Sequence, residues 1–354
     1  MAYTTIDDPT EYFETKLYTG NSTGSTQQAI TGLDFSPNMV WIKPRSDAEK
    51  HSIADTVRGA TKTIHPHNTE AEETSAGHMV SFDSNGYTVG VDNYSWNKNG
   101  STYASWNWKA GTSFTNDASA TGIGNIDSTG SVNTDAGFSV ISYTGDANAD
   151  NTVAHGLGSV PKMIILKNRS ISSNWMVYHA STGAQAPLFL NLTNAAGSGD
   201  PDRFKVVPTS SVFTPGTAQE GNGSGNSIIA YCFSEKQGYS KFGSYTGNGN
   251  ADGPFIYTGQ KSAFVMIKRT DSANNWVMLD NKRSEFNVVN KWLLANTADA
   301  EATGANDNNA DFCSNGIKLK NSNHMINADG GTYIYMAFAE SPFVTSTGIP
   351  TTAR

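Results

Sequence analysis

Three stretches decide the fold of this 354-residue chain: Val40-Trp41-Ile42-Lys43, Ile164-Ile165-Leu166-Lys167 and Val265-Met266-Ile267-Lys268. Each consists of three apolar residues followed by a lysine, and each follows a Tyr-Thr-Gly sequence, at 18–20, 143–145 and 245–247. Eight residues after the lysine, the second and third copies place Trp175 and Trp276, where the first copy has His51. These recurring sequence positions, which we call anchors, come in the same order each time and indicate three copies of one module of roughly 100 residues.

The last strand of each copy shows which face is buried. Its apolar residues alternate along the strand and align as Ala104, Trp106 and Trp108, then Ile229, Tyr231 and Phe233, then Ile334, Met336 and Phe338. Residues two apart share one side of a strand, so this side is the core. The lysine-terminated strands are apolar on both faces, so we expect each to be covered on both sides or to lie centrally in a sandwich. The sequence therefore predicts an all-β protein of three tandem antiparallel β-sandwich repeats of jelly-roll type.

The composition supports short strands and excludes several classes of protein. Charged residues are 16% of the chain, and there are 34 Gly and 12 Pro. Two cysteines, Cys232 and Cys313, exclude a disulfide scaffold and predict small apolar positions on strands. A net charge of −8 argues against a nucleic-acid partner. We find no signal peptide or membrane-spanning run, and expect synthesis in a reducing cytoplasm without membrane insertion.

The module boundaries follow from the anchors. We predict an N-terminal arm at 1–12, a first repeat at 13–110, a second at 137–240, a third at 241–343 and a C-terminal tail at 344–354. Residues 111–136, rich in Ser, Thr, Gly and Asn, are predicted to be a linker.

The repeated segments resemble a repeat found in tail-fibre-like and other structural proteins of tailed bacteriophages, especially marine ones. The likeness is carried by residues 18–20, 37–43, 55–62, 100–103 and 238–259. It implies a virion component, assembled in the host cytoplasm: a tail fibre, a receptor-binding tip or a head decoration. The family supplies no catalytic residues to transfer.

Two aromatic residues are candidate ligand contacts. Tyr94 and Trp96 lie in a glycine-bounded segment, 90–100, without aligned aromatics in the other copies. An exposed tryptophan on a loop is a suitable binding anchor, and packing against a neighbouring repeat is the alternative.

Two histidines are a second candidate. His65 and His67 form a His-Pro-His sequence, which is either a metal site or a surface substitution at the end of an edge strand. We favour the surface substitution and predict no metal or other cofactor.

Two further patterns have both a functional and a structural interpretation. Asp146, Asn148 and Asp150, like Asn248, Asn250 and Asp252, resemble the start of a calcium loop, although side-chain-capped turns explain them better. The basic residues after the apolar strands, Lys43, Lys167 and Lys268 with their neighbouring arginines, are either contacts for acidic sugars or partners of nearby acids such as Asp55 and Asp280. We favour internal pairing.

The sequence contains no G-x-S-x-G, H-E-x-x-H or P-loop motif, so we expect a non-enzymatic protein. We predict a virion structural protein of tail-fibre or receptor-binding type that docks to other virion proteins, with host cell-surface carbohydrate as a candidate ligand. A capsid decoration or adaptor is the alternative, and a polysaccharide depolymerase is a weaker one. Self-association as a trimer, or a pseudo-trimer formed by the three repeats of one chain, is also expected.

Overall fold

Antiparallel sheets make up most of the computed structural model, which describes residues 2–92, 94–304 and 307–351. Strands account for 41% of the chain and helices for 4%, which confirms the all-β prediction. A short 3₁₀ helix, Pro9–Glu11, precedes the first strand.

The strands of the first third of the chain are β1 (Phe13–Thr19), β2 (Gln28–Thr31), β3 (Met39–Pro44), β4 (Ser52–Asp55), β5 (Lys62–Thr63), β6 (Glu73–Thr74), β7 (Met79–Asp83), β8 (Gly86–Val89) and β9 (Thr102–Trp108). The middle third contains β10 (Thr112–Asn116), α1 (Ala118–Thr121), β11 (Ser128–Asn133), β12 (Phe138–Thr144), β13 (Val153–Ala154), β14 (Met163–Asn168), β15 (Trp175–His179), β16 (Leu188–Phe189), β17 (Val212–Phe213), α2 (Gln219–Asn222) and β18 (Ser227–Phe233). The last third contains β19 (Ser240–Thr246), β20 (Phe255–Tyr257), β21 (Gln260–Arg269), β22 (Trp276–Asp280), β23 (Lys291–Leu294), β24 (Ala302–Thr303), β25 (Ala310–Cys313), β26 (Gly316–Leu319), α3 (His324–Asn327) and β27 (Thr332–Pro342).

One strand order occurs three times. The first sheet has the order β1-β9-β3-β4, the second contains β12-β18-β14-β15, and the third contains β19-β27-β21-β22. In each sheet the strand that carries Tyr-Thr-Gly and the lysine-terminated strand flank the last strand of the copy. The anchors recognised in the sequence thus occupy equivalent places in the three sheets.

The inner faces of the three sheets share one core. Trp106 of the first sheet, Tyr231 of the second and Met336 of the third belong to the same buried cluster, as the alternation along the last strands predicts. The outer face of each sheet is covered separately: β2-β8-β7 lies over the first, β20-β26-β25 over the third, and β13-β17 with long loops over the second. All residues of β3 and β14 are buried, which explains why these strands are apolar on both faces.

Aromatic rings close one end of the shared core. The register pairs Phe13 with Trp108, Phe138 with Phe233, and Ser240 with Phe338 at this end of the three sheets. The rings of Phe13 and Phe338 lie 4.9 Å apart, and those of Phe233 and Phe338 lie 6.0 Å apart. We call this end the base. The opposite strand ends, at Thr19, Thr144 and Thr246, form the tip.

The two terminal segments meet at the base. Ile6 is buried in the shared core, and the Tyr3 ring lies 6.4 Å from that of Phe343. Ser346 donates hydrogen bonds to Asp7 through its backbone N–H and its hydroxyl. The predicted arm and tail therefore pack against each other, although residues 1 and 352–354 lie outside the described residues.

The linker prediction for 111–136 is wrong for most of that segment. β10 pairs with β11, and β11 pairs with β12 from Ser128↔Tyr143 to Asn133↔Phe138. The segment adds two strands to the edge of the second sheet. An edge hairpin has little to bury, so it needs few bulky apolar residues, and its composition is close to that of a linker.

Candidate functional site

A buried asparagine fixes a loop at the tip of each copy. The residue after Tyr-Thr-Gly donates its backbone N–H to the side-chain oxygen of this asparagine: Asn21 to Asn97, Asp146 to Asn222 and Asn248 to Asn327, at 2.8–3.0 Å. The asparagine amide group also donates to loop carbonyls, such as Gly90 O, Gly216 O and Asn321 O. We call the segments 94–98, 219–223 and 324–328 the tip loops.

The Tyr-Thr-Gly sequence is explained by these loops. The tyrosine hydroxyls of Tyr18, Tyr143 and Tyr245 donate to the backbone oxygens of Trp96, Gly221 and Ile326. A Cβ atom on the three glycines would lie 2.3, 2.5 and 2.2 Å from the carbonyl oxygens of Lys98, Gly223 and Ala328. A side chain at the glycine would therefore push the tip loop away from the sheet.

The hydrogen-bonded backbone of the tip loops, which we call the frame, carries different side chains in each copy. Tyr103 and Tyr333 donate hydroxyl hydrogen bonds to the backbone oxygens of Tyr94 and His324, which identifies these two positions as equivalent. Tyr94, His324 and the corresponding Gln219 are all exposed. Since the frame accepts tyrosine, glutamine or histidine here, packing does not determine the residue. Positions of this kind are suited to recognition.

The tip loop of the first copy borders a cleft of about 230 Å³, which we call the tip cleft. Its walls are formed by Glu49, Lys50, His65, Glu73, His78, Asp92, Tyr94, Ser95 and Trp96. The Asp92 carboxylate accepts the backbone N–H of Trp96 at 3.0 Å, and Asn97 N donates to Asp92 O. The loop is thus held by hydrogen bonds on both sides of Tyr94.

Glu73 organises the histidines of the tip cleft. Its Oε1 lies 2.8 Å from His65 Nε2 and 3.5 Å from His78 Nδ1. The hydrogen bond from His65 lowers the pKa of Glu73, so this residue is a carboxylate at neutral pH. Burial lowers the pKa of His78, whose ring stacks on Trp96 at 5.7 Å. At neutral pH, His78 is therefore an uncharged imidazole.

The structure separates the two residues predicted to contact a ligand. Tyr94 is 59% exposed, as a binding residue would be, whereas Trp96 is fully buried in the core over the outer face of the first sheet. The prediction of Trp96 as an exposed anchor is wrong. The Trp96 backbone N–H is bonded to the Asp92 carboxylate and its ring stacks on His78, and neither contact has a signal in the sequence. Trp96 is still among the residues that border the tip cleft.

The prediction of His65 as a surface substitution is also wrong. His65 is buried, and its Nδ1 lies 2.7 Å from the backbone oxygen of His51. His67 is half-buried, and burial lowers its pKa to about 4. Within residues 2–92, 94–304 and 307–351, no group of three or more His, Cys, Asp or Glu side chains has the arrangement of a metal site.

The three aligned lysines are structural. Lys43, Lys167 and Lys268 have buried side chains, and burial lowers the pKa of each to about 8. Their ammonium groups donate to backbone carbonyls such as Asp47 O, Thr69 O and Thr193 O. They are therefore not available to acidic sugars, although their partners are carbonyl oxygens and not the acids expected from the sequence.

Several of these contacts join neighbouring copies, and the junctions close a ring. Trp175 donates to His65 O of the first copy, Trp276 donates to Phe189 O of the second, and His51 Nε2 lies 3.0 Å from Leu294 O of the third. The three donors are the residues found eight positions after the lysines. The anchor at this position is thus a junction contact between copies.

Two buried ion pairs lie at the junctions. Arg58 bonds Asp55 at 2.6 Å, and Arg283 bonds Asp280 at 2.5 Å, with side chains that have no exposed surface. Tyr231 donates to Asp55 from the second sheet, and Trp106 donates to Asp280 from the first. In the second copy His179 takes the place of the acid, and its Nε2 lies 3.2 Å from a backbone oxygen of the third sheet. These groups serve packing between sheets.

The loops that resemble calcium-binding sequences are turns capped by side chains, as favoured from the sequence. Asn148 N donates to Asp146 Oδ1, and Asn250 N donates to Asn248 Oδ1, in each case across two residues. Cys232 is buried on β18 and Cys313 is half-buried on β25, both as free thiols.

The residues missed from the sequence are the three buried asparagines. A signal was present, because Asn97, Asn222 and Asn327 each lie six positions before the aligned residues Tyr103, Ile228 and Tyr333 of the last strands. The acids and histidines of the tip cleft come from separate loops and share no spacing that a sequence could display.

Comparison with known proteins identifies the family. Residues 8–342 match the family described as a domain of unknown function, DUF7483, and the chain belongs to that family. No curated protein and no solved structure matches the chain significantly. No helix within the described part of the chain is long and apolar enough to cross a bilayer.

Proposed function

We propose that this member of the DUF7483 family is a non-enzymatic structural protein of a bacteriophage virion, exposed on the particle, of tail-fibre or receptor-binding type. The observation that carries the proposal is the polarity of the molecule. The two terminal segments lie at the base, whereas the repeat-specific residues Tyr94, Gln219 and His324 are exposed at the tip. A rigid body of this form suits attachment to other virion proteins at one end and recognition at the other.

The proposal includes three tandem β-sandwich repeats of jelly-roll type that act as a pseudo-trimer. It is supported by the threefold recurrence of one strand order and by the separate outer layer over each sheet. The junction contacts support it further, because His51, Trp175 and Trp276 join the copies in cyclic order. One chain can then occupy a threefold position on a particle.

Imaging of particles tests the proposal. Antibody-gold labelling of purified virions should place the protein on the exterior of the tail, and labelled protein should bind host cells. A capsid decoration or adaptor is the second candidate, because a base that carries both terminal segments also suits attachment to a shell. It would label the head at fixed stoichiometry and leave host cells unlabelled. Absence of the protein from purified particles would refute both.

A polysaccharide depolymerase is kept as a weaker alternative because Glu49, Glu73 and Asp92 share the tip cleft. Glycoside cleavage requires a carboxylic acid whose pKa is raised. The hydrogen bond from His65 instead lowers the pKa of Glu73, and Asp92 is engaged by Trp96 N. Release of new reducing ends from host polysaccharides by the pure protein would favour the enzyme over the binding protein.

A further inference from the structure

We infer that the tip cleft of the first copy binds a single pyranose ring without acidic groups, as part of a larger glycan. Tyr94 provides the aromatic surface, and the neighbouring carboxylate, imidazole and hydroxyl groups provide hydrogen bonds. The inference deepens the proposed function and rests on it for its biological role, whereas the binding itself needs only the isolated protein.

The first support is the position of Tyr94. Its ring is 59% exposed although the loop that carries it is fixed, since Tyr103 donates to Tyr94 O at 2.7 Å. The equivalent residues Gln219 and His324 show that the frame does not need a tyrosine here. A rigidly held, exposed aromatic ring loses little conformational freedom when a ligand covers it, which is a property of binding residues.

The second support is the mixture of polar groups in the cleft. Glu49 and Asp92 supply acceptors, and His78 and Ser95 supply groups that can donate. A sugar hydroxyl both donates and accepts, so it needs both kinds of partner within one site. Trp96, whose buried indole N–H has no acceptor among the described residues, also borders the cleft.

The third support is the charge balance, which selects among sugars. The cation in the walls, Lys50, is already paired with Glu70 at 2.8 Å, and Glu73 is paired with His65. Glu49 and Asp92 form no ion pair within the described part of the chain, so the cleft is negative. A sulfated or carboxylated sugar would be repelled there, whereas a neutral pyranose would not.

The size of the cleft limits the ligand further. Its volume of about 230 Å³ is below the roughly 300–1,000 Å³ of pockets that enclose drug-sized ligands. The site therefore holds one ring at the end or along the side of a chain. Binding by one ring is weak, and several copies on a particle would gain strength through avidity.

Saturation-transfer NMR on the full chain tests this inference. The probes are the methyl glycosides of glucose, galactose and mannose, N-acetylglucosamine, and glucuronic acid as the acidic comparison. We expect saturation transfer to at least one neutral sugar, with little transfer to glucuronic acid. Tyr94→Ala should weaken the binding about tenfold, because the aromatic surface supplies much of the contact.

The matched control is Tyr257→Ala, which removes another exposed tyrosine, from the strand β20 over the third sheet. It should change the affinity less than about twofold. The inference is overturned if no neutral sugar in the panel binds, if glucuronic acid binds equally well, or if both alanine variants bind like the wild type. Sugar binding by a protein that is absent from virions would refute the proposed function and leave the inference intact.

Discussion

Removal of the Asp55 carboxylate should destabilise the protein far more than removal of a partly exposed acid that also pairs with an arginine three residues later. Asp55 accepts hydrogen bonds from Arg58 Nε at 2.6 Å, from Arg58 N at 2.9 Å and from the Tyr231 hydroxyl at 2.7 Å, and its side chain has no exposed surface. Asp55→Ala leaves the buried guanidinium of Arg58 without its closest partner. It also leaves the Tyr231 hydroxyl, across the junction, without its acceptor. Breaking a buried pair from one side costs about 3–5 kcal/mol.

The matched control is Asp200→Ala. Asp200 also pairs with an arginine three residues later, Arg203, at 2.7 Å, but both side chains are more than a quarter exposed. Such pairs contribute about 0–1 kcal/mol. Equilibrium unfolding in urea, followed by tryptophan fluorescence, gives the free energy of unfolding of each variant.

Salt concentration separates the two cases further. The cost of Asp200→Ala should shrink between 0.1 and 1 M NaCl, because exposed charges are screened, whereas the cost of Asp55→Ala should hardly change. A cost of Asp55→Ala below about 1 kcal/mol, or equal to that of the control, would show that the buried cluster does not hold the first and second sheets together.

Three further perturbations test the frame and the junctions. Burial lowers the pKa of His179 to about 4, below the roughly 6.5 of a histidine in the unfolded chain. The contribution of the neutral His179 to the free energy of unfolding is therefore complete above pH 6.5 and is lost as the pH falls toward 4. In urea titrations, His179→Gln should reduce the loss of stability between pH 7 and pH 5 by about 2 kcal/mol. Gly145→Ala places a Cβ 2.5 Å from the carbonyl oxygen of Gly223 and should lower the free energy of unfolding by about 1–3 kcal/mol. The control Gly77→Ala, whose Cβ would have its nearest contact at 3.4 Å, should change the urea midpoint little. Equal midpoints for the two variants would contradict the close approach of Gly145 to the tip loop. Arg45→Gln breaks a largely buried pair between the first and third copies. It should lower the melting temperature clearly more than Arg269→Gln, which removes a local pair whose acid, Asp271, is 37% exposed; the reverse order would argue against the junction.

The sequence was sufficient to predict the features that repeat with a fixed period. Alternation along the last strands predicted the inner faces correctly, and Trp106 and Trp108 lie in the shared core. The eight-residue spacing from lysine to Trp175 marked a real structural position. Its role as a contact between copies could not be predicted, because the acceptor, His65 O, lies far away along the chain.

The errors have a common physical origin. The segment 111–136 forms strands because the edge of the second sheet offers hydrogen-bonding partners, and composition does not reveal such an edge. Trp96 is buried with its ring stacked on His78, and His65 is buried because Glu73 and His51 come to it from other segments. The tip cleft is assembled from such separate segments, so of its residues only Tyr94, Trp96 and His65 could be singled out in advance.

Because the junctions form a closed ring, each module contacts the other two whatever the order of the modules along the chain. The last module touches the first through His51 and Leu294 without any covalent link between them. Residues 3 and 343 are already in ring contact, so a short bridge could join them. Protein engineers could then open the chain between modules, near residue 111, and obtain a rearranged polypeptide with the same neighbours, the same tip loops and the same binding cleft.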